Sequence, residues 1–258
     1  MYNYITETME EQGVQKEKYR VIYTPKGAAR EYSPLAVNIA LGCEHGCKYC
    51  YVPPFRRTSR KAYRENVRAR KDFEKKLILD LKEMSLLHDE RRVLFCFMTD
   101  PYQPKLAASM RGYLENFRYY DIAFQVLTKN GKNAIKDFDL YSKKDAFAET
   151  IVFSDQETQS KFEPYAGTLE ERLTALEIAH ARGIETWISL EPVIIPEQAL
   201  EVIDLTKKYT DHYKVGKVNG FKLDHQPDWK KFTREVIKKL EDAGKSYYIK
   251  KSLQPYME

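Results

Sequence analysis

The sequence predicts an α/β protein, a partial (βα)6 TIM-type barrel, on three observations. From residue 36 onward, short β-branched or aromatic runs alternate with longer amphipathic, charged stretches, the pattern of βα units around a parallel sheet. Only six or seven such units can be counted and about 35 residues precede them, whereas a closed eight-fold barrel takes about 250 residues by itself. The apolar runs also finish, one after another, in polar or ionisable residues, as strands do where βα loops converge on a site. The chain accordingly divides into an N-terminal extension over 1–34, the barrel over 35–220, and a C-terminal helix and edge strand over 221–258 that close it.

The elements follow in order. Leu35 to Leu41 reads as the first strand, running through Gly42 into a long loop from Cys43 to about Arg57. A basic helix is expected from about Asn66 to Leu87. Arg92 to Met98 is strand two; it finishes in Thr99-Asp100-Pro101-Tyr102-Gln103-Pro104, before a helix near Ala107 to Tyr119. Ile122 to Thr128 is strand three, which Asn130-Gly131 closes as a turn. Thr150 to Phe153 is expected as strand four, ending in Ser154-Asp155, and Leu169 to Ala181 is a helix stopped by Gly183. Thr186 to Leu190 is strand five, ending in Glu191-Pro192, and His212 to Val218 is strand six, ending in Asn219. The last long helix runs from Trp229 to Ala243, and Ser246 to Lys250 reads as an additional edge strand.

At 258 residues, 43% of them hydrophobic, the chain supports one large core rather than two. No apolar run approaches the roughly 20 residues that span a bilayer. Met1 to Arg20 is polar, without a basic start followed by an apolar stretch, so a cytoplasmic location with no membrane partner is expected. Three of the four cysteines crowd into one loop. Bridges that close such small loops remove little unfolded-state entropy, and thiols this close in a reducing compartment hold a metal or a cluster instead. The net charge of +5 is local: Arg56 to Lys71 carries eight basic residues against Glu65, a balance of +7 that leaves −2 for the rest. This segment is either a solvated helix face or a phosphate-binding strip beside the cysteines, with Tyr51, Phe55 and Tyr63 as aromatics that could stack on bases.

The loop reads Cys43-Glu44-His45-Gly46-Cys47-Lys48-Tyr49-Cys50-Tyr51. Zinc takes four protein ligands, and although His45 lies inside the loop, no second Cys or His pair at zinc spacing follows. A four-iron cluster held by three thiolates has one iron with an open position, which is a reactive one. The C-x3-C-x2-C spacing, the aromatic Tyr49 before the last cysteine and the place directly after a first barrel strand together resemble the radical SAM superfamily signature. That resemblance implies a barrel of the radical SAM type with a 4Fe-4S cluster on Cys43, Cys47 and Cys50. It also implies S-adenosylmethionine (SAM) at the open iron, an electron donor such as a flavodoxin or ferredoxin, and a 5′-deoxyadenosyl radical that abstracts a substrate hydrogen.

Within the superfamily the chain is similar to the spore photoproduct lyase-like group, also labelled DNA repair photolyase-like. The matching runs are Cys50-Tyr51, Thr99 to Pro104, Leu127-Thr128-Lys129 and Leu190-Glu191-Pro192-Val193, covering about Leu35 to Asn219. Carried over, the resemblance places Lys129 on the SAM carboxylate, Ser154 on the ribose or carboxylate, and Tyr49 on the adenine. Thr99 and Asp100 stand where relatives receive the SAM amino group, and Glu191 could hold ribose hydroxyls. The plain alternatives are a surface lysine at 129 and a lysine partner for Glu191. No catalytic residue is assigned beyond the cluster ligands. The spore enzyme's hydrogen-donating cysteine falls on Phe97 here; strand alternation turns neighbouring Cys96 to the opposite face, so it reads as a buried structural thiol. The expected substrate is a nucleic acid, DNA or RNA, or a nucleotide-like molecule, held on Arg56, Arg57, Arg60, Lys61 and Arg64. A peptide or small metabolite, or a non-catalytic zinc- or cluster-stabilised binding module, are the alternatives.

Overall fold

Parallel strands separated by helices in sequence pair side by side in one sheet. The computed structural model describes residues 19–257, so residues 1–18 of the N-terminal extension lie outside the description. The strands are β1 (Ile22–Tyr23), β2 (Leu35–Val37), β3 (Ala40–Leu41), β4 (Arg68–Ala69), β5 (Val93–Phe95), β6 (Phe124–Thr128), β7 (Ala146–Thr150), β8 (Glu185–Val193), β9 (His212–Lys217) and β10 (Ser246–Ile249). The helices are α1 (Val52–Phe55), α2 (Arg60–Glu65), α3 (Phe73–Leu86), α4 (Pro104–Tyr119), α5 (Gln156–Phe162), α6 (Leu169–Ala181), α7 (Pro196–Thr206) and α8 (Trp229–Asp242). The sheet order is β1-β2-β5-β6-β7-β8-β9-β10, parallel throughout except for β1, which pairs antiparallel with β2. β3 and β4 form a separate antiparallel ribbon beside the cysteine loop. The α/β partial barrel expected from the sequence is therefore the one observed.

Residues two apart share a face of a strand, and the two faces differ in chemistry. One face carries Val93, Phe95, Phe124, Val126, Phe147, Ile188, Leu190, Tyr213 and Val215, which pack under α3, α4, α6, α7 and α8. The other carries small residues, Ala36, Ala146 and Ala148, with Leu94, Trp187 and Tyr32, and forms the barrel interior. Cys96 belongs to the helix-facing core, the buried position expected of it, although it follows Phe95 in that same core: β5 ends at Phe95, and strict alternation ends with it. α6 occupies the residues expected of it. Its capping box explains the sharp start: Glu171 N–H donates to the Thr168 hydroxyl at 3.2 Å and Thr168 N–H donates to the Glu171 carboxylate at 3.0 Å.

Four elements differ from expectation. The first strand breaks at Asn38, whose side-chain oxygen accepts the N–H groups of Phe97 and Met98 at 3.0 and 2.9 Å; Leu35–Val37 stays in the sheet and Ala40–Leu41 leaves it. Strand two stops at Phe95 for the same reason. The basic helix expected over Asn66 to Leu87 begins only at Phe73, because Arg68–Ala69 pairs as β4. Strand four is Ala146–Thr150 rather than Thr150 to Phe153. Its alanines and buried Glu149 carry little β-signal, while Val152 and Phe153 are buried beyond its end.

No ladder joins the first and last strands of the sheet. Side chains bridge them instead. Tyr248 hydroxyl and Lys251 N–H donate to Glu31 at 3.2 and 2.7 Å, and Lys214 Nζ donates to the Tyr32 carbonyl at 2.7 Å. Buried Lys250 pairs with Glu191, lies 3.7 Å from Glu31 and sits 4.1 Å over the Tyr32 ring. Removing one member of a buried ion pair strands the other charge. Lys250→Met should therefore lower stability by about 3–5 kcal/mol in urea titration, and Glu191→Gln in the same background should restore part of that loss.

Candidate active site

The cysteine loop leaves β3 and reaches α1, and backbone contacts from other segments shape it. Gly42 has φ +88°, and a Cβ there would lie 2.8–2.9 Å from backbone atoms of Asn66, Val67 and Tyr63, so only glycine fits. Cys43 N–H donates to the Tyr63 carbonyl at 3.2 Å, and Lys48 N–H to the Phe162 carbonyl at 2.9 Å. Arg60 donates to the carbonyls of Cys47 and Cys50 at 3.2 and 2.8 Å. All three cysteines are free thiols. Burial is the main influence on each: it raises Cys43 well above the usual thiol value, Cys47 to about 12, and Cys50 as well. After burial, Asp100 and then Cys47 and Cys50 add to the rise at Cys43.

Among the described residues no three Cys, His, Asp or Glu side chains close on one point to hold a single metal ion, which leaves the four-ligand zinc site without support. A polynuclear cluster instead takes one thiolate at each of several corners. Three free cysteines on one glycine-shaped loop, with no disulfide among them, fit that group. Lys129 supplies the neighbouring cation: burial pulls its ammonium pKa down, but Cys47 and Glu163 outweigh burial and raise it.

The Thr99 to Pro104 run fastens this loop rather than facing away from it. Gln103, fully buried, donates to the Gly42 carbonyl at 3.3 Å and accepts Glu44 N–H at 2.8 Å, gripping the chain on both sides of Cys43. Thr99 donates to the same Gly42 carbonyl at 2.5 Å. Asp100 accepts Tyr102 N–H at 2.9 Å, the Thr128 hydroxyl at 2.7 Å and Lys129 N–H at 2.8 Å, and lies 3.5 Å from His45 Nδ1. Both its oxygens thus accept from the protein, two hydrogen bonds on Oδ1 and one on Oδ2, so a SAM amino group received at Thr99 and Asp100 would share the carboxylate with these donors. Gln103 stood in the quoted run without a role; its place just before Pro104, at the start of α4, was the signal.

Two further candidates have partners within the protein. The Tyr49 hydroxyl donates to buried Glu163, and its ring packs with Cys47, Val152, Phe153 and Ile194. The side chain is therefore largely covered by the protein itself. Ser154 lies beyond the end of β7, and its hydroxyl donates to Glu201 on α7 at 2.6 Å, which removes it from the strand edge. Lys129 stays beside the cysteines, 5.7 Å from the Tyr49 ring centroid. Glu191 takes the lysine partner that the sequence left open, Lys250, and also accepts the Tyr32 hydroxyl at 2.5 Å, all on Oε2; Oε1 lies over Gly216.

Sequence reasoning missed the ion pair beneath the loop. Arg172 lies 2.6 Å from Glu163, donates to the carbonyls of Gly167 and Thr150, and so ties α6 and β7 to Tyr49. Beside this network a 560 Å3 cleft opens between the end of β8 and α8, lined by Phe162, Ile194, Ile195 and Phe221. On the rim, Arg56, Arg57, Arg60 and Lys61 are exposed, but Arg64 stacks 4.6 Å over the Tyr165 ring. Tyr63, expected as a base-stacking aromatic, is buried with its hydroxyl on the Met98 carbonyl.

A parallel partial barrel with a three-cysteine loop where its first strand ends defines a class, and comparison with known proteins agrees. The model described as Radical SAM superfamily matches residues 37–209, more than half of the chain, so the chain belongs to the radical SAM superfamily. Membership implies an iron–sulfur cluster and SAM. A protein of Methanocaldococcus jannaschii described only as uncharacterized is 26% identical over 182 residues, 69% of this chain and 67% of its own. A spore photoproduct lyase mutant with bound AdoMet and dinucleoside spore photoproduct matches with a TM-score of 0.70 at 13% identity, over 91% of this chain and 79% of that one. A radical SAM methyltransferase from Sphaerobacter thermophilus matches with a TM-score of 0.59 at 13% identity, over 84% and 65%. At these identities the structural matches establish the fold alone. No helix among the described residues is long and apolar enough to cross a membrane.

Because burial keeps the metal-free cysteines protonated near neutrality, iron uptake must displace their protons. Alkylation of the metal-free protein by iodoacetamide should quicken about tenfold per unit between about pH 7 and 9 without levelling. A plateau inside that window would mean that a thiolate is already present.

Proposed function

We propose that this protein is a radical SAM enzyme that holds a 4Fe-4S cluster on Cys43, Cys47 and Cys50 and acts on a nucleic acid, DNA or RNA, or a nucleotide-like substrate. The observation that carries the reading is the cysteine loop itself: three free thiols held by Gly42, Gln103 and Arg60 at the strand edge of a partial barrel. When bound, the reduced cluster and SAM would supply a 5′-deoxyadenosyl radical for hydrogen abstraction from the substrate.

The chain's own residues supply placement and charge. Lys129, a cation beside Cys47, would meet the SAM carboxylate. The cleft has an apolar wall of Phe162, Ile194 and Phe221 beside the Tyr49 cluster and a polar wall that includes Glu197, Lys222 and Asp228, a combination that suits an adenine face and its polar edge. Glu191 Oε1, which no donor among the described residues occupies, is the oxygen left for a ribose hydroxyl. The barrel over 35–220 forms the catalytic unit, and 221–258 complete its wall through α8 and β10. The rim of exposed Arg56, Arg57 and Lys61 beside the loop supports the nucleic-acid substrate, and an electron carrier such as a flavodoxin or ferredoxin would reduce the cluster.

The test is anaerobic reconstitution with iron and sulfide, followed by SAM and dithionite. Formation of 5′-deoxyadenosine and methionine is expected. Cys47→Ala should abolish it, and Lys129→Met should weaken SAM binding about tenfold or more, the loss of one charge-assisted hydrogen bond. A colourless wild-type protein that retains zinc and forms no 5′-deoxyadenosine would refute the reading.

A further inference from the structure

The cations on the rim are not equivalent. Arg60 is engaged by the carbonyls of Cys47 and Cys50, and Arg64 by the Tyr165 ring and by Glu65 at 3.3 Å. Arg56, Arg57 and Lys61 are exposed and, among the described residues, have no acidic partner. Between them and the cysteines stands an aromatic pair. Phe55 is 73% exposed and Tyr51 is 54% exposed, although large apolar rings are ordinarily covered. Phe55 N–H donates to the Tyr51 carbonyl at 3.2 Å, so the two rings, four positions apart, lie on one side of a single helical turn.

The pair also has a direction. The Tyr51 hydroxyl donates to the Phe97 carbonyl at 2.9 Å, and Phe97 packs edge-on against Tyr32 in the barrel interior at 6.0 Å. An aromatic line therefore runs from the cationic rim at Phe55, past Tyr51, toward the inside of the barrel. Tyr63, buried, takes no part in it.

Phosphates alone would satisfy the cations, and a duplex presents phosphates. A duplex, however, keeps its base faces stacked inside, and an exposed phenylalanine reaches them only at the cost of unstacking a base step. An unpaired base offers a face on which an aromatic ring can stack whatever its identity. We infer that the substrate is engaged as an unpaired strand, with one base stacked on Phe55, the next at Tyr51 at the barrel mouth, and the backbone phosphates on Arg56, Arg57 and Lys61. The inference rests on the nucleic-acid reading above and narrows it to single-stranded or locally opened DNA or RNA.

The test is fluorescence anisotropy on the full chain, reconstituted anaerobically, with four probes: a labelled DNA strand of mixed sequence, an RNA strand of the same sequence, the DNA duplex, and heparin as competitor without bases. The DNA or RNA strand should bind at least about tenfold more tightly than the duplex. Phe55→Ala should weaken strand binding by about 5- to 100-fold, Phe55→Trp should preserve it, and neither should change the slope of affinity against salt. Arg56→Ala should instead flatten that slope by about 0.7, the loss of one phosphate contact to a single strand. Phe55 is exposed, so its variants should keep the wild-type iron content, which serves as the folding control. Equal binding of strand and duplex, with Phe55→Ala indistinguishable from wild type, would overturn the inference while leaving the nucleic-acid reading intact. Binding of neither strand nor duplex, with an acidic flavodoxin bound through Phe55, would overturn both and assign the rim to the electron carrier.

Discussion

Three thiols gathered in one irregular loop, Cys47 buried and Cys43 and Cys50 partly so, cannot hold one another, since a thiol is only a weak hydrogen-bonding group, so the loop depends on polar groups supplied from outside it. Gln103 grips both sides of Cys43, and Asp100 joins the ends of β5 and β6 to His45. Arg172 and Glu163 anchor Tyr49, the residue before the last cysteine. These are buried groups, and buried ion pairs contribute little net stability relative to apolar packing. Their contribution is position. An irregular backbone has carbonyls and N–H groups that no ladder satisfies, and each partner provided here also fixes where a cysteine stands.

The same logic explains the open barrel. A closed ladder would satisfy every strand edge but would fill the interior with packed side chains. Here the gap between the first and last strands is spanned by Glu31, Tyr32, Lys214 and Lys250, which hold the curvature through charges and hydrogen bonds. The small residues Ala36, Ala146 and Ala148 keep the inner face shallow above Trp187. Burial, with repulsion from Lys250 and Arg92, lowers the Lys214 ammonium to about 8, a sign of how crowded with cations this seam is.

Charge on the rim is divided between two tasks. Arg60 and Arg64 belong to the loop's own framework, whereas Arg56, Arg57 and Lys61 face solvent beside Phe55 and Tyr51. A run of eight cations in the sequence therefore overstates the surface free to meet a polyanion. Structure separates the cations that build the site from those that can greet a ligand.

By itself the sequence determined the alternation of strands and helices, the limits of α6 with its stop at Gly183, the edge strand β10, and the cysteine trio. Each is written in local spacing: a 3.6-residue or two-residue period, a glycine just past a helix end, ligands within one loop. Strand β7 escaped because Ala146, Ala148 and Glu149 are set by barrel packing rather than by strand propensity. Only the tertiary structure decided that Asp100 is bound on both oxygens, that Tyr49 and Tyr63 are buried, that Ser154 turns to α7, and that Arg172, Glu163, Gln103 and Lys250 matter. Those roles arise between residues tens of positions apart, joined only when the sheet curves, and a short-range pattern in the chain carries no trace of which distant donor will meet which acceptor.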